Sequence, residues 1–322
     1  MPCRPLLLAV VAAGSLAAVA PAAARTVGQG TPGSCTSRAV VAAVRAGGVI
    51  HFACGPRPVT IVMRETARVR NTVSKVVLDG GGLVTLSGAG RRRILYMDTC
   101  DPKQVWTTSH CQNQAAPELT VERLTFADGN STGRDYDGGG GGAIFDRGGR
   151  LRIVDSTFTG NRCERTGPDI GGGAVRALSQ YRGRSVVVTG SRFTANVCSN
   201  GGAVSSIGVS WTVRTSRFVA NRAIGVGANP ARRGTPGGGS GGAIYNDGDR
   251  MTLTIVGSTF MRNHAREGGG AVFFVSNDRT GTMSIRDSVI TGNPNGAFHT
   301  PGLPGIYFLG AHRPTIVRST LR

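Results

Sequence analysis

The sequence predicts an all-β solenoid with a short capping helix at its N-terminal end, and three observations predict it. One phrase recurs along the chain: a Gly-Gly-Ala, two further residues, a polar turn, an alternating run ending in Phe or another apolar anchor, and then an asparagine. Gly140 to Asn161 shows the phrase most clearly. Fifty of the 322 residues are glycine and only 6% are aromatic, a composition suited to many tight turns and thin packing. Helical periodicity is nearly absent beyond residue 46. A repeat of this length, rich in strand formers, buries its apolar face only by stacking on its neighbours.

The anchors are Phe126, Phe158, Phe193, Phe218, Phe260, Ile290 and Leu321, and the asparagines paired with them are Asn130, Asn161, Asn196, Asn221, Asn263 and Asn293. The asparagines are expected to hold tight turns by adopting the left-handed conformation, and to stack their amides from repeat to repeat. The second residue after each Gly-Gly is apolar (Ile144, Val175, Val204, Ile244, Val272), and Phe298 fits the same place after Gly296-Ala297. By the two-residue period of a strand these side chains point inward. The next residues, Phe145, Arg176, Ser205, Tyr245, Phe273 and His299, then form an outward row.

The order of elements follows from the N-terminus. Residues 1–24 read as a secretory signal, with Arg4, an apolar run from Leu6 to Ala20 and a small-residue site at Ala22-Ala23-Ala24. A membrane anchor is the alternative for this run, opposed by Gly14, Ser15 and Pro21. No later segment is long or apolar enough to cross a bilayer, so the mature chain is expected to be exported, either free or at the cell surface. Residues 25–36 read as an unstructured leader. An amphipathic helix follows, N-capped by Thr36 or Ser37 and ended by Gly47-Gly48; it would cover the open strand edges of the first coil, so residues 25–48 form the leader and cap of a solenoid spanning 49–322. VIHFAC, PVTIVM, KVVLDG and LVTLSG are its first strands.

Six cysteines remain after removal of the signal, an even number in an oxidising destination. Cys163 and Cys198 each stand two residues after a repeat asparagine, so adjacent repeats would place their Cα atoms about one strand spacing, ~4.8 Å, apart. Cys100–Cys111 would close a short loop, and Cys35–Cys54 would tie the cap to the first strand.

Lysine and arginine total 37 against 18 acidic residues, a formal charge of +19, and all the cations but Lys75 and Lys103 are arginine. An arginine-rich surface suits carboxylate, sulfate or phosphate partners through bidentate hydrogen bonds. Coding bias of the genome explains the same composition without a partner. There is no dedicated nucleic-acid motif.

The GGAI/GGAV strand followed by a Phe-x-x-Asn turn resembles the repeats of the polymorphic outer-membrane proteins. The whole pattern is similar to secreted right-handed parallel β-helix proteins of the pectate-lyase-like superfamily, over roughly residues 49–322. The resemblance implies a single-stranded right-handed parallel β-helix. That fold hosts lyases, hydrolases and adhesins, so it does not decide an activity. The chain lacks the alternating C-terminal strands of an outer-membrane barrel, which argues against autotransport as in those adhesins. It stops within a repeat phrase, and an adhesive or structural surface protein that meets another protein through an uncapped C-terminal coil is a third reading.

Enzymes of that superfamily combine calcium-binding carboxylates with an arginine or lysine base, or use clustered aspartates as acid and base. The nearest assembly here is Asp135 and Asp137 in one loop, with Arg162, Glu164, Arg165 and Asp169 in the next and Arg176 beside them. Asp135, Asp137 and Asp169 supply oxygen enough for a calcium site, and with Arg176 they are the candidate catalytic set. Turn chemistry explains the aspartates equally well, and an ion pair explains Glu164. No other cofactor is indicated.

Loops 131–140, 162–171, 222–240 and 264–267 would wall one side of the outward row, and 98–117, 177–184, 246–250 and 276–282 the other. Phe145, Tyr245 and Phe273 would then stack on sugar rings while Arg176, His299, Arg162 and Arg165 hold acidic groups. The alternative is that the loops fold over the row and bury it. Trp211, at the start of an alternating run, is expected in the core. The sequence thus leads to a non-catalytic binder of acidic polysaccharide or another surface polyanion, with a pectate-lyase-like lyase or hydrolase as the second reading.

Overall fold

A computed structural model describes residues 23–104, 107–134 and 138–322. The signal expectation for residues 1–24 lies almost wholly outside them. Among the described residues the chain is all-β with a single α-helix, and parallel strands are gathered into sheets of 17, eight and three strands. Homologous phrases lie side by side, an arrangement compatible with a parallel β-helix. No helix among the described residues is long and apolar enough to cross a membrane.

The helix runs from Ser37 to Ala46. Thr36 caps it by accepting from the Ala39 amide at 3.2 Å, and Gly47 ends it with φ 71°. Its buried face, Val40, Ala43 and Val44, packs on the strand Ala67–Val69 and on Ala24–Val27. That second contact corrects the leader: Ala24–Val27 is a strand in parallel register with Val49–Phe52, because its amides and carbonyls complete the ladder of the first long strand. All three disulfides form as expected, and Cys163 and Cys198 stand 4.8 Å apart at Cα.

In the largest sheet the anchors are in register from Ile61 through Leu86, Phe126, Phe158, Phe193, Phe218, Phe260 and Ile290 to Leu321. The five phenylalanines stack in parallel, with ring centroids 4.6–5.0 Å apart, and are fully buried. Parallel stacking this tight follows from the strand spacing, which sets the distance between equivalent residues.

Two bends flank each anchor, and each of them is a single left-handed residue. The first bend holds Asp155, Gly190, Thr215, Gly257, Asp287 and Arg318, and the second holds Gly160, Ala195, Ala220, Arg262 and Gly292, all with φ between 45° and 63°. The left-handed position is therefore the residue before the asparagine, not the asparagine itself. The asparagine acts through its amide. The Nδ2 of Asn196 donates to Oδ1 of Asn221 (2.9 Å) and to the Phe158 carbonyl (3.1 Å), and its Oδ1 accepts from the backbone and side chain of Asn161. The ladder runs from Asn161 to Asn293. Asn130 stands outside it, because it lies four residues after Phe126 rather than three. The Gly129 amide takes its place on Asn161 Oδ1 at 2.8 Å.

A second ladder escaped the sequence reading, although its signal is plain: a serine two residues before every anchor from Phe158 onward. Ser191, Ser216, Ser258, Ser288 and Ser319 each accept the amide of the preceding repeat's serine at 3.1 Å. Each serine from Ser156 to Ser319 also donates to the carbonyl two residues back. The two ladders satisfy the backbone groups that the bends release from the sheets.

Candidate functional site

The eight-stranded sheet aligns Tyr96, Phe145, Arg176, Ser205, Tyr245, Phe273 and Tyr307 in one row. Ile306 and Tyr307 continue the pattern, so Phe298 and His299 are not its last members. Phe298 instead meets Phe273 and Tyr307 edge-on, and His299 is exposed beyond the row.

The row is closed. Phe145, Arg176, Tyr245 and Phe273 are at most 2% exposed. The covering backbone comes so near that only glycine fits: a Cβ on Gly171 would stand 2.4 Å from Ser205 Oγ. Asn229 donates to the Tyr245 hydroxyl and to Asp247. Arg232 holds the same loop by a bidentate pair with Glu267 (2.9 and 3.0 Å), which keeps the Glu267 carboxyl below its ordinary value. The loops thus form a roof rather than walls over Phe145, Arg176, Tyr245 and Phe273; at the ends of the row Tyr96 borders a cavity and Tyr307 is partly exposed.

Arg176 donates to Ser205 Oγ at 2.6 Å and to the Asp169 carbonyl, and its buried Nε has no partner. Burial lowers its pKa to about 10, partly countered by Tyr245, Asp169 and Asp247. It stays protonated at neutral pH. Asp169 contributes its backbone here, and its side chain is exposed. Asp135 and Asp137 lie outside the described residues, and the calcium and acid–base expectation turns on them. Among the described residues no group of three or more His, Cys, Asp or Glu could hold a metal ion. Glu164 accepts the backbone amides of Arg134 (3.2 Å) and Gly140 (3.4 Å). Trp211 is fully buried, its indole N–H donating to Ser206.

The open cavities lie elsewhere and are basic. One of about 420 Å³ sits between the capping helix and the first repeats, lined by Arg45, Arg68, Arg70, Arg92, Lys103 and Arg134, with Glu65 the only carboxylate in the lining. A neighbouring hollow of about 440 Å³ shares Val41, Arg45, Glu65 and Arg70 and adds Arg38, extending the groove along one helix face. On the other side a cavity of about 590 Å³ shares Arg68, Lys103 and Gln104. There the Tyr96 hydroxyl bridges the carboxylates of Asp98 (3.1 Å) and Asp101 (3.2 Å), and Arg68 stacks 4.5 Å over the Tyr96 ring. Burial raises the Asp98 carboxyl above its ordinary value, against the pull of the Cys100 amide and Arg147.

Sequence reasoning missed this groove. Its one local signal was Arg68-Val69-Arg70, and its other cations, Arg45, Arg92, Lys103 and Arg134, come from separate segments of the chain. Arg162 and Arg165, expected on the walls of the row, are exposed and line a further cavity of about 570 Å³ together with Arg222, Asn130 and Thr132.

Asp146 is buried inside the fold, accepting from Gln180 with its other oxygen unpartnered. Burial raises its pKa well above the ordinary value, and Asp98 adds to the rise. A folded pKa above the unfolded one gives stability that is complete below about pH 4 and is lost as pH climbs through the folded pKa. Asp146→Asn removes that loss, and Asn246 already stands in the same row as Asp146 three repeats on. The variant is expected to be more stable than the parent at pH 7.5 and to match it near pH 4. Urea melts at both pH values check this; a pH-independent difference would contradict it.

No family model matches the chain, and neither does any curated protein or solved structure.

Proposed function

We propose that the chain is an exported right-handed parallel β-helix that binds an acidic polysaccharide or a similar surface polyanion. The observation that carries this reading is the groove beside the capping helix, where six cationic side chains face one carboxylate. A pocket with that excess attracts a polymer of carboxylate or sulfate groups, and arginine binds such groups bidentately. Three disulfides and the signal-like first 24 residues support export. The parallel register of homologous phrases supports the β-helix.

A second reading, cleavage of the bound polymer, is favoured by the Asp98–Tyr96–Asp101 bridge in the adjoining cavity. Burial moves the Asp98 carboxyl toward the range of a proton donor, and Asp101 beside it would serve as its counterpart.

Polygalacturonate, alginate and heparin columns, run with and without calcium, separate the two readings. Salt-sensitive retention without new reducing ends or unsaturated-uronate absorbance is the result expected of a binder. Product that vanishes in Asp98→Asn would instead make the chain a lyase or hydrolase. Flow-through on all three polymers would rule out both.

A further inference from the structure

We propose that the groove at the capping helix and the cavity lined by Arg162, Arg165 and Arg222 are two halves of one basic track, which holds a single extended polyuronate chain along the direction of repeat stacking. This rests on the polyanion-binding reading and extends it to a second site and a definite path.

The two cavities share a wall. Arg134 lines the first and Asn130 and Thr132 the second, so residues 130–134 separate them by the width of one turn. The backbone beneath is continuous: the Asn130 amide donates to the Arg92 carbonyl at 2.9 Å, and the Arg162 guanidinium reaches back to the Gly90 carbonyl at 2.8 Å. Beyond this wall Asn130, Arg162, Val197, Arg222 and His264 lie side by side in register. At about 4.8 Å per strand, Arg162 and Arg222 are roughly 10 Å apart, and Arg92 to Arg222 spans roughly 19 Å.

The chemistry of the second cavity indicates the ligand class. None of its lining residues is acidic, and Val197, Ile224 and the Cys163 bridge give it an apolar floor between the arginines. A sugar ring offers a matching pair of features, an apolar face and a carboxylate at its edge. Neither cavity is lined by an aromatic side chain, whereas single-stranded nucleic acids are held by bases stacked on aromatic rings.

The test is a length series of oligogalacturonates, from dimer to dodecamer, titrated calorimetrically into the full chain at low and near-physiological ionic strength. Arg45→Ala/Arg70→Ala and Arg162→Ala/Arg222→Ala serve as the two variants. Affinity is expected to rise with length until one chain spans both cavities, by roughly tenfold or more over the dimer. Either double variant should remove that gain, and Arg162→Lys/Arg222→Lys should restore part of it, which separates lost charge from lost folding. A dodecamer that binds Arg162→Ala/Arg222→Ala as tightly as the parent would overturn the track while leaving polyanion binding in place. Failure of the parent to bind any oligomer would overturn the function itself. Tighter binding of an oligothymidylate of equal charge would overturn the polyuronate assignment.

Discussion

Asn196→Ala is expected to lower the stability of the folded chain by roughly 3–5 kcal/mol, the summed cost of several buried polar groups left without partners. Asn196 is fully buried in the middle of the amide ladder. Its loss takes the acceptor from the Asn161 amide and the donor from the Phe158 carbonyl. It also removes the link between Asn161 and Asn221, so the disturbance reaches both neighbouring repeats. Asn293→Ala is the comparison: it takes the same kind of partners from Asn263 and Phe260, but at the end of the ladder and 7% exposed it disturbs one neighbouring repeat of the ladder instead of two, and it should cost less. Urea denaturation with unchanged m-value reads both. Equal, small losses at the two positions would mean that strand pairing and the serine ladder hold the repeats by themselves.

The second large effect concerns the groove. Arg45→Glu/Arg70→Glu places two carboxylates beside Glu65 in the cavity, turning an attractive lining into a mixed one. Like charge set against a ligand costs several kcal/mol, so polyuronate affinity at low ionic strength should fall roughly a hundredfold, with the difference shrinking as salt is added. Arg45 is exposed and Arg70 partly so, and the unfolding midpoint should move little. Measured by retention on a polygalacturonate column, an unaltered salt elution point would place the binding surface elsewhere.

These two predictions differ in how far the sequence led to them. The anchor ladder, the amide ladder and the Cys163–Cys198 bridge were legible because all three depend on one rule: equivalent residues of successive phrases stand one strand spacing apart. Asn130 broke the rule by a single residue, and counting from Phe126 would have shown it. The serine ladder was equally legible, and was passed over because a lone serine in a strand carries no strong propensity.

The row through Phe145, Arg176, Tyr245 and Phe273 was legible as a row but not as a buried one. Alternation says which way a side chain points from its own strand; it cannot say whether another segment covers it. That was decided by Asn229, by the Arg232–Glu267 pair and by close backbone contacts such as Gly171 on Ser205.

The sequence by itself determined the parallel register, the inward rows, the capping helix and the disulfides, because a repeating backbone turns local spacing into spatial alignment. Only the tertiary structure decided which surface is open. Whether the aromatic row is roofed, and whether Arg45, Arg70, Arg92 and Arg134 converge, depends on where irregular loops settle, and their contacts follow no period. Charges so far apart along the chain become one groove only once the helix has docked across the first strands.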